Sequence, residues 1–458
     1  MTQPSPSVNE TGRQALPADA TRPESRRQQS QKYCVLGAGS SGLAVVKNFA
    51  AAAVEFDCYE REDDIGGNWH FGKPGSSIYQ STHLISSKRL TEYPDFPMPD
   101  EDAEYLHHSR VLAYLRAYAR HFGLYERIQF NTAIERVEPD GDQWLVTLAG
   151  GQQRRYRGVV IANGHNWDPR LPNYPGKFAG QILHSSQYKS ADVLRGRRVL
   201  VVGAGNSGCD IAVEAAQNAE RTLHSLRRGY HFLPKFVGGK PADVVGERML
   251  RWRLPLALRR TVARVLMRLL VGPPTRFGLP RPDHRLFETH PIINSQLPYY
   301  VGHGDITIKP DVAELAGDCV RFVDGSQERV DVIVYATGYQ ISFPFLDSRH
   351  LNWRDGRPQL YLNIFHPQHE TLLFCGLIQP DSGQFGLVDY QAQLMARVIT
   401  ARERGTAAAR RFNGEIAAAS QDLGAGIRYL HSPRHALEVE HFSYRRRLQK
   451  SIAKLGRS

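Results

Sequence analysis

Length, composition and charge describe an ordinary globular protein. The chain has 458 residues, of which 41% are apolar and 23% charged, and this length suits about two or three domains. No uninterrupted apolar run reaches about 18 residues, so no membrane-spanning helix is predicted. The net charge of +12 is spread widely along the chain, which favours a basic surface that prefers anionic cofactors and argues against nucleic-acid binding.

The cysteines predict a reduced environment. No two of them form a Cys-x-x-Cys pair, which argues against a disulfide framework and against a dithiol redox centre. We therefore expect a cytoplasmic protein, and no metal site is predicted. The five cysteines are Cys34, Cys58, Cys209, Cys319 and Cys375.

Residues 1–32 predict a disordered tail, because they are rich in Pro, Ser, Gln, Thr and Arg and offer almost nothing apolar to bury. Arg26-Arg27 resembles the start of a twin-arginine export signal. The apolar segment that follows is needed as a strand, and no small-residue cleavage site precedes it, so we reject an export signal.

A strand, a glycine turn, a helix and a second strand are predicted between Tyr33 and Glu60. In the turn, Gly37 permits the tight bend, Gly39 lets a pyrophosphate approach the backbone, and Gly42 lets helix and strand pack closely. Glu60 follows the second strand, where an acid accepts the ribose hydroxyls of a dinucleotide. The complete pattern predicts a dinucleotide site.

A further turn and a series of short elements follow. In the segment 64–69, Gly67 allows a planar ligand to approach the backbone, and Trp69 either lies beside such a ligand or is a core aromatic residue. The apolar spacing of residues 110–123 predicts a helix, and residues 128–161 predict a small antiparallel sheet that ends in a buried strand.

A second glycine turn follows the strand Arg198–Val202 and again opens a helix. The next strand, about 222–226, carries no terminal acid and ends in two arginines. An acid would repel a 2′-phosphate, whereas an arginine fork binds it, so this site predicts NADPH. The residues expected to bind the second cofactor are Gly203, Gly205, Asn206, Ser207, Gly208, Arg227 and Arg228.

Residues 255–271 predict an amphipathic basic helix. Val262, Val265, Leu266, Leu269 and Leu270 form one face of it, and arginines recur every four residues on another. We favour a helical insert or lid packed on the protein, and keep membrane-surface contact as the alternative.

The rest of the chain returns to strands. An apolar strand at 332–335 precedes Ala-Thr-Gly-Tyr, another strand is expected at 372–376, and a helix at 388–398. Two nucleotide sites of different character imply electron transfer between two cofactors, of which FAD suits the first site and NADPH the second.

Between the two glycine turns, Phe178 to Tyr188 matches the pattern FxGxxxHxxxY, and together with other motifs this resembles the class B flavoprotein monooxygenases, in particular the flavin-containing monooxygenases. The resemblance covers most of residues 33–400. Baeyer–Villiger enzymes usually carry a tryptophan where this chain has Tyr188, followed by Lys189. This difference favours a resemblance to the enzymes that oxygenate heteroatoms. The other motifs are GAGSSG at 37, DDIGGNW at 63, SIYQS at 77, SSKR at 86, YPDFPMPD at 93, GAGNSGCDIA at 203 and ATGY at 336.

The resemblance implies that NADPH reduces FAD and that the reduced flavin forms a C4a-(hydro)peroxide with dioxygen. The distal oxygen then passes to a soft nucleophile, an amine nitrogen or a sulfur. Bound NADP⁺ shields the flavin from water. His184 would belong to a linker that couples the domains and would not donate a proton. The expected partners are a small-molecule substrate and dioxygen, and a homodimer stays open.

One position departs from the family pattern. Flavin-containing monooxygenases usually place an asparagine before the Ser-Ser-Lys segment, close to the flavin, and here Ile85 stands there. Its side chain cannot form a hydrogen bond. His83, Ser86 or Ser87 is therefore a candidate for the orienting role, with His83 and Ser86 as the expected catalytic residues.

The predicted fold is α/β, with two Rossmann-like dinucleotide-binding domains and the NADPH domain inserted into the FAD domain. The FAD domain is expected at 33–192 and 326–458, and the NADPH domain at 193–325. The leading function is FAD- and NADPH-dependent oxygenation of an amine or sulfur compound. The alternatives are a Baeyer–Villiger ketone monooxygenase and an NADPH oxidase or redox sensor.

Overall fold

A computed structural model of the protein describes residues 30–251, 255–418, 422–430 and 432–456, so most of the predicted tail lies outside the described residues. The helices in these ranges are α1 Ser40–Ala51, α2 Lys88–Thr91, α3 His108–His121, α4 Asn206–Asn218, α5 Ala242–Arg251, α6 Leu256–Leu270, α7 Gln296–His303, α8 Phe385–Glu403, α9 Ala407–Ala417 and α10 His441–Leu455. The strands are β1 Tyr33–Leu36, β2 Phe56–Tyr59, β3 Ile128–Gln129, β4 Ile134–Asp140, β5 Gln143–Leu148, β6 Gln153–Tyr156, β7 Gly158–Ile161, β8 Asp168–Pro169, β9 Gly176–Phe178, β10 Gln181–His184, β11 Arg198–Val202, β12 Arg221–Ser225, β13 Phe232–Leu233, β14 Phe236–Val237, β15 Lys240–Pro241, β16 Ile292–Ile293, β17 Ile306–Lys309, β18 Val312–Gly317, β19 Cys319–Phe322, β20 Gln327–Arg329, β21 Val332–Tyr335, β22 Tyr339–Gln340, β23 Trp353–Arg354, β24 Arg357–Pro358, β25 Leu372–Phe374, β26 Gln379–Pro380 and β27 Glu438–Val439.

The first sheet is parallel, in the order β25-β7-β1-β2-β3. Successive residues of β1 face opposite sides: Tyr33 and Val35 pack with α1 and α8, whereas Cys34 and Leu36 pack with β4 to β6. Both faces of the sheet are therefore covered, which is why β1 reads as a continuous apolar run. The antiparallel sheet β4-β5-β6 confirms the small sheet predicted within 128–161.

The second sheet is also parallel, in the order β10-β21-β11-β12-β17. The helices α4 and α7 cover one face, and a smaller sheet, β20-β19-β18-β9, covers the other. Two parallel sheets, each with a glycine turn after a central strand, confirm the predicted α/β fold with Rossmann-like units.

The second sheet extends across both predicted boundaries of the second domain. The strand β10 precedes the boundary at 192 and β21 follows the boundary at 326, yet β21 hydrogen-bonds to β10 on one side and to β11 on the other. Strand pairing therefore assigns both strands to the unit that was expected at 193–325. That unit, called the second unit below, runs from β9 to β21; the rest of the described chain is the first unit.

The two chain crossings between the units run side by side as the antiparallel pair β8–β22. The Thr337 hydroxyl donates to the Arg170 carbonyl oxygen at 2.6 Å, and the Arg170 N–H donates to the Gly338 carbonyl oxygen at 2.9 Å. Each crossing is thus hydrogen-bonded to the other at the point where the chain changes units.

The predicted basic helix is present as α6, but its apolar face does not pack as expected. Val265 is 52% exposed and Leu269 is 77% exposed. The helix is instead attached through Arg260, whose guanidinium donates to the Leu286 carbonyl oxygen at 3.1 Å and to Glu288 at 3.2 Å. Among the described residues, none of the helices is long and apolar enough to cross a membrane.

Candidate active site

The first glycine turn forms a cradle that side chains would fill. Gly37 has φ +95°, and a Cβ on Gly42 would lie 1.8 Å from the Gly37 carbonyl oxygen. The first turn of helix α1 is therefore in direct contact with the backbone that follows β1. Its N-terminus has no side-chain cap and no acid in its first turn. An uncapped N-terminus with free N–H groups is a site for the diphosphate of a dinucleotide.

Glu60 follows β2 and lies beside this turn, as predicted. Its carboxylate accepts hydrogen bonds from the Ala38 N–H at 2.6 Å and from the Glu62 N–H at 3.0 Å. Each carboxylate oxygen accepts more than one hydrogen bond. Glu60 can therefore hold the turn in place and still accept ribose hydroxyls.

The segment 64–69 packs directly onto the first turn. The Gly66 N–H donates to the Ala38 carbonyl oxygen at 3.1 Å, and a Cβ on Gly67 would lie 3.0 Å from the Gly39 Cα. Trp69 is half-buried, packs against the core of the first unit, and contacts the Phe385 ring edge-on with 6.5 Å between centroids. The predicted cofactor residues of the first site therefore lie together, and Trp69 belongs in part to the core.

The second glycine turn repeats the arrangement of the first. A Cβ on Gly208 would lie 2.0 Å from the Gly203 carbonyl oxygen, whereas no atom lies within 4 Å of a Cβ placed on Gly205. Gly205 therefore leaves open space in front of the N-terminus of α4, which again has no side-chain cap and no acid in its first turn. The donor set fits a second dinucleotide.

Asn206 and Ser207 are less available than predicted. The Asn206 amide donates to the Pro291 carbonyl oxygen at 3.1 Å and accepts from the Ile293 N–H at 2.9 Å. Its side chain therefore anchors the segment before α7, and only its backbone N–H is left for a ligand. The Ser207 hydroxyl lies beside the phenol of Tyr79, which comes from the first unit.

The two arginines after β12 differ in their surroundings. Arg227 is exposed and forms no ion pair with a described acid. The Arg228 Nε lies 3.3 Å from an Asp283 carboxylate oxygen. Arg227 is therefore the better placed of the two for a 2′-phosphate.

The segment 82–86 separates the three candidates for the orienting role. It bridges residues 106–108 in extended form, through His83 opposite His107 and through Leu84 N–H bonded to the Leu106 carbonyl oxygen at 2.8 Å. The chain bends at Ile85 and Ser86; the side chains of Leu84 and Ser86 are buried, whereas Ile85 is half-buried and His83 is exposed.

The hydroxyls of Ser86 and Ser87 are both hydrogen-bonded to other residues of the protein. The Ser86 hydroxyl is buried and hydrogen-bonded to Thr91 Oγ1 at 2.8 Å, and the Ser87 hydroxyl donates to Asp243 Oδ2 at 3.0 Å. The expected role for Ser86 is therefore not supported by its position. His83 is the exposed candidate, with its Nδ1 2.8 Å from the Ser81 carbonyl oxygen, and desolvation of the ring lowers the pKa of its imidazole.

The fingerprint residues join the two units. The Lys189 ammonium donates to the carbonyl oxygens of Ser76 and Ile78 in the first unit, at 2.8 and 3.2 Å. The Tyr188 phenol donates to Glu214 Oε2 within the second unit at 2.6 Å, and its ring contacts Tyr79 of the first unit with 5.5 Å between centroids. His184 is buried and contacts the Gly338 carbonyl oxygen through Nε2 at 3.1 Å. These bonds agree with a coupling role for the fingerprint.

Asp210 is a half-buried group that sequence reasoning missed. It lies on α4 and accepts hydrogen bonds from Tyr79 Oη at 3.3 Å and Asn294 Nδ2 at 2.7 Å. Burial raises the pKa of its carboxyl group, and the ammonium of Lys235 opposes this shift. Its place in the motif GAGNSGCDIA was the only available signal, because its partners are distant in sequence.

Known proteins share both the sequence and the fold of this chain. Residues 30–452 match the flavin-binding monooxygenase-like family. Flavin-containing monooxygenase 5 of Oryctolagus cuniculus is 34% identical over 435 residues, which cover 90% of this chain and 80% of that relative. Dimethylaniline monooxygenase [N-oxide-forming] 2 of Macaca mulatta is 36% identical over 392 residues, covering 81% of this chain and 73% of the relative.

A solved structure, S-allyl-L-cysteine S-oxygenase from Allium sativum, has the same fold. The TM-score is 0.64 at 20% identity, with 93% of this chain and 89% of that chain covered. Two glycine cradles, with Glu60 beside the first and the exposed Arg227 after the strand next to the second, fit the two dinucleotide cofactors of such an enzyme, FAD and NADPH. The chain therefore belongs to the flavin-binding monooxygenase-like family and is an NADPH-dependent flavin monooxygenase.

Proposed function

We propose that this enzyme oxygenates a soft nucleophile, an amine nitrogen or a sulfur, at the expense of NADPH and dioxygen. The observation that carries the proposal is the pairing of two cradles of different character, with Glu60 beside the first and Arg227 beside the second, in a chain of this family. The name of the macaque relative describes N-oxide formation, which supports nitrogen as one acceptor.

The residues of the chain bind and shield the cofactors. The α1 N-terminus and Glu60 would hold FAD, while the α4 N-terminus and Arg227 would hold NADPH. Bound FAD supplies the chemistry, because it accepts a hydride and reacts with dioxygen. Ile85 provides an apolar wall, which excludes water by its shape and without a hydrogen bond of its own.

Heteroatom oxygenation is favoured over ketone oxidation by Tyr188 and Lys189. The Tyr188 hydroxyl is hydrogen-bonded to Glu214 within the second unit, and the Lys189 ammonium is hydrogen-bonded to the Ser76 carbonyl oxygen of the first unit. An NADPH oxidase or redox sensor stays the alternative of a different class, since Ile85 replaces the family's usual asparagine.

The test is product analysis together with rapid mixing. The purified holoenzyme is supplied with NADPH, oxygenated buffer and one of three probes: N,N-dimethylaniline, a dialkyl sulfide or a cyclic ketone. We expect an N-oxide or sulfoxide in proportion to the NADPH consumed, and a transient absorbance band distinct from oxidised and reduced flavin. An ester from the ketone alone would establish the Baeyer–Villiger alternative. Hydrogen peroxide equal to NADPH with every probe would establish the oxidase.

A further inference from the structure

The carboxylate of Asp243 connects the second unit to two segments of the first. Asp243 lies in the first turn of α5, between β12 and β17 of the second sheet. Its Oδ2 accepts from the Ser87 N–H at 2.7 Å, from the Ser87 hydroxyl at 3.0 Å and from the Ser382 hydroxyl at 3.3 Å. One oxygen thus joins α5, the segment 82–87 and the loop before α8.

The two segments held by Asp243 border the far end of the first cofactor cradle. A dinucleotide that enters at Glu60 passes the N-terminus of α1 next. There the Tyr93 hydroxyl donates to the Ser40 carbonyl oxygen at 2.6 Å. A Cβ on Gly383 would lie 2.1 Å from the Leu90 carbonyl oxygen. Helix α2 and the loop before α8 therefore lie together near the N-terminus of α1, where they would border the flavin ring of a dinucleotide bound in this cradle.

The carboxylate of Asp243 accepts its hydrogen bonds from neutral donors. None of the described lysines and arginines forms an ion pair with it, and its other oxygen accepts from the Val244 N–H at 2.9 Å. Ser87 is completely buried, so its N–H depends on this acceptor in place of water. Hydrogen bonds to a charged acceptor are stronger than those between neutral groups. The contact therefore fixes the backbone two residues after Ile85.

We propose that Asp243 is a positioning residue for oxygenation, which holds the segment 82–87, and with it Ile85, against the flavin end of the site. This inference rests on the proposed function. Since Ile85 offers no hydrogen bond, its side chain would exclude water from the reacting centre through its position. A segment released from Asp243 admits water, and more of the reducing power of NADPH ends as hydrogen peroxide.

The experiment compares Asp243→Ala and Asp243→Asn with the control Glu247→Gln. Glu247 lies one turn later in α5 and pairs with Arg445 of α10 at 3.1 Å, so the control weakens another contact between α5 and the first unit. Three quantities are measured on each holoenzyme: FAD content, the division of NADPH between oxygenated product and hydrogen peroxide, and amide hydrogen exchange over residues 84–92.

In Asp243→Ala we expect unchanged FAD content, about tenfold faster exchange at the Ser87 amide, and a several-fold larger share of peroxide. For Asp243→Asn we expect an exchange rate and a peroxide share between those of wild type and Asp243→Ala, because the amide oxygen still accepts hydrogen bonds. If Asp243→Ala does not fold, the test is made with Asp243→Asn. Glu247→Gln should leave exchange and product share near wild type.

Two results would overturn the inference. One is faster exchange at Ser87 with an unchanged product share, and the other is an equal effect of Glu247→Gln. A wild-type enzyme that yields no oxygenated product refutes the proposed function itself, whereas a productive wild type with unaltered Asp243 variants refutes only the positioning role.

Discussion

Arg227 provides the sharpest test of the second cofactor site. It is exposed after β12 without an ion pair to a described acid. The substitution Arg227→Gln removes a charged hydrogen-bond donor to the 2′-phosphate that distinguishes NADPH from NADH. Such a bond contributes about 1.5–3 kcal/mol, which corresponds to a rise in the KM for NADPH of roughly 10- to 150-fold. The KM for NADH should change by less than about twofold, because NADH lacks this phosphate.

Arg228 is the matched control, since its guanidinium already faces Asp283 at 3.3 Å. An exposed ion pair contributes about 0–1 kcal/mol, so Arg228→Gln should raise the KM for NADPH by no more than about fivefold. The assay is steady-state oxidation of NADPH and of NADH at two ionic strengths, because salt screens exposed charges. The reasoning fails if Arg227→Gln weakens both nucleotides equally, or if Arg228→Gln has the larger effect.

Three further predictions concern stability and cofactor retention. Lys47→Met should lower the free energy of unfolding in urea by about 3–5 kcal/mol, because Lys47 pairs at 2.7 Å with Asp389, whose side chain is fully buried; a loss below about 1 kcal/mol would contradict this. Gly42→Ala should abolish FAD retention on purification, since its Cβ would lie 1.8 Å from a carbonyl oxygen, whereas Gly414→Ala, in open space within α9, should retain the flavin. Burial beside another carboxylate raises the pKa of Asp381 to about 7, so its contribution to stability is complete below about pH 4 and is lost as the pH rises to about 7. Asp381→Asn should therefore flatten the fall in unfolding free energy over this range, and an unchanged slope would refute the assignment.

The positions of the glycine turns and of the acid could be predicted because they are set by local structure. Gly37, Gly42 and Glu60 each act within one strand-turn-helix-strand unit, and the structure places them as the pattern requires. The domain boundaries could not be predicted in the same way. They depend on which strand β10 and β21 pair with, and that pairing joins residues far apart in the chain.

The same distinction applies to the other site residues. The hydroxyl of Ser86 was a plausible donor by sequence distance alone, but it is buried and hydrogen-bonded to Thr91. The amide of Asn206 lies in the glycine motif but serves a segment 85 residues away. Asp243 gave no signal at all, since its partners come from two other parts of the chain.

The paired crossings β8 and β22 restrict how the units can move. Two strands bonded to each other cannot slide independently, because neither can shift along its axis without breaking the bonds at Arg170 and Thr337. A single peptide cleavage in either crossing would therefore leave the units joined through the other crossing and through contacts such as the hydrogen bonds of Asp243 to Ser87.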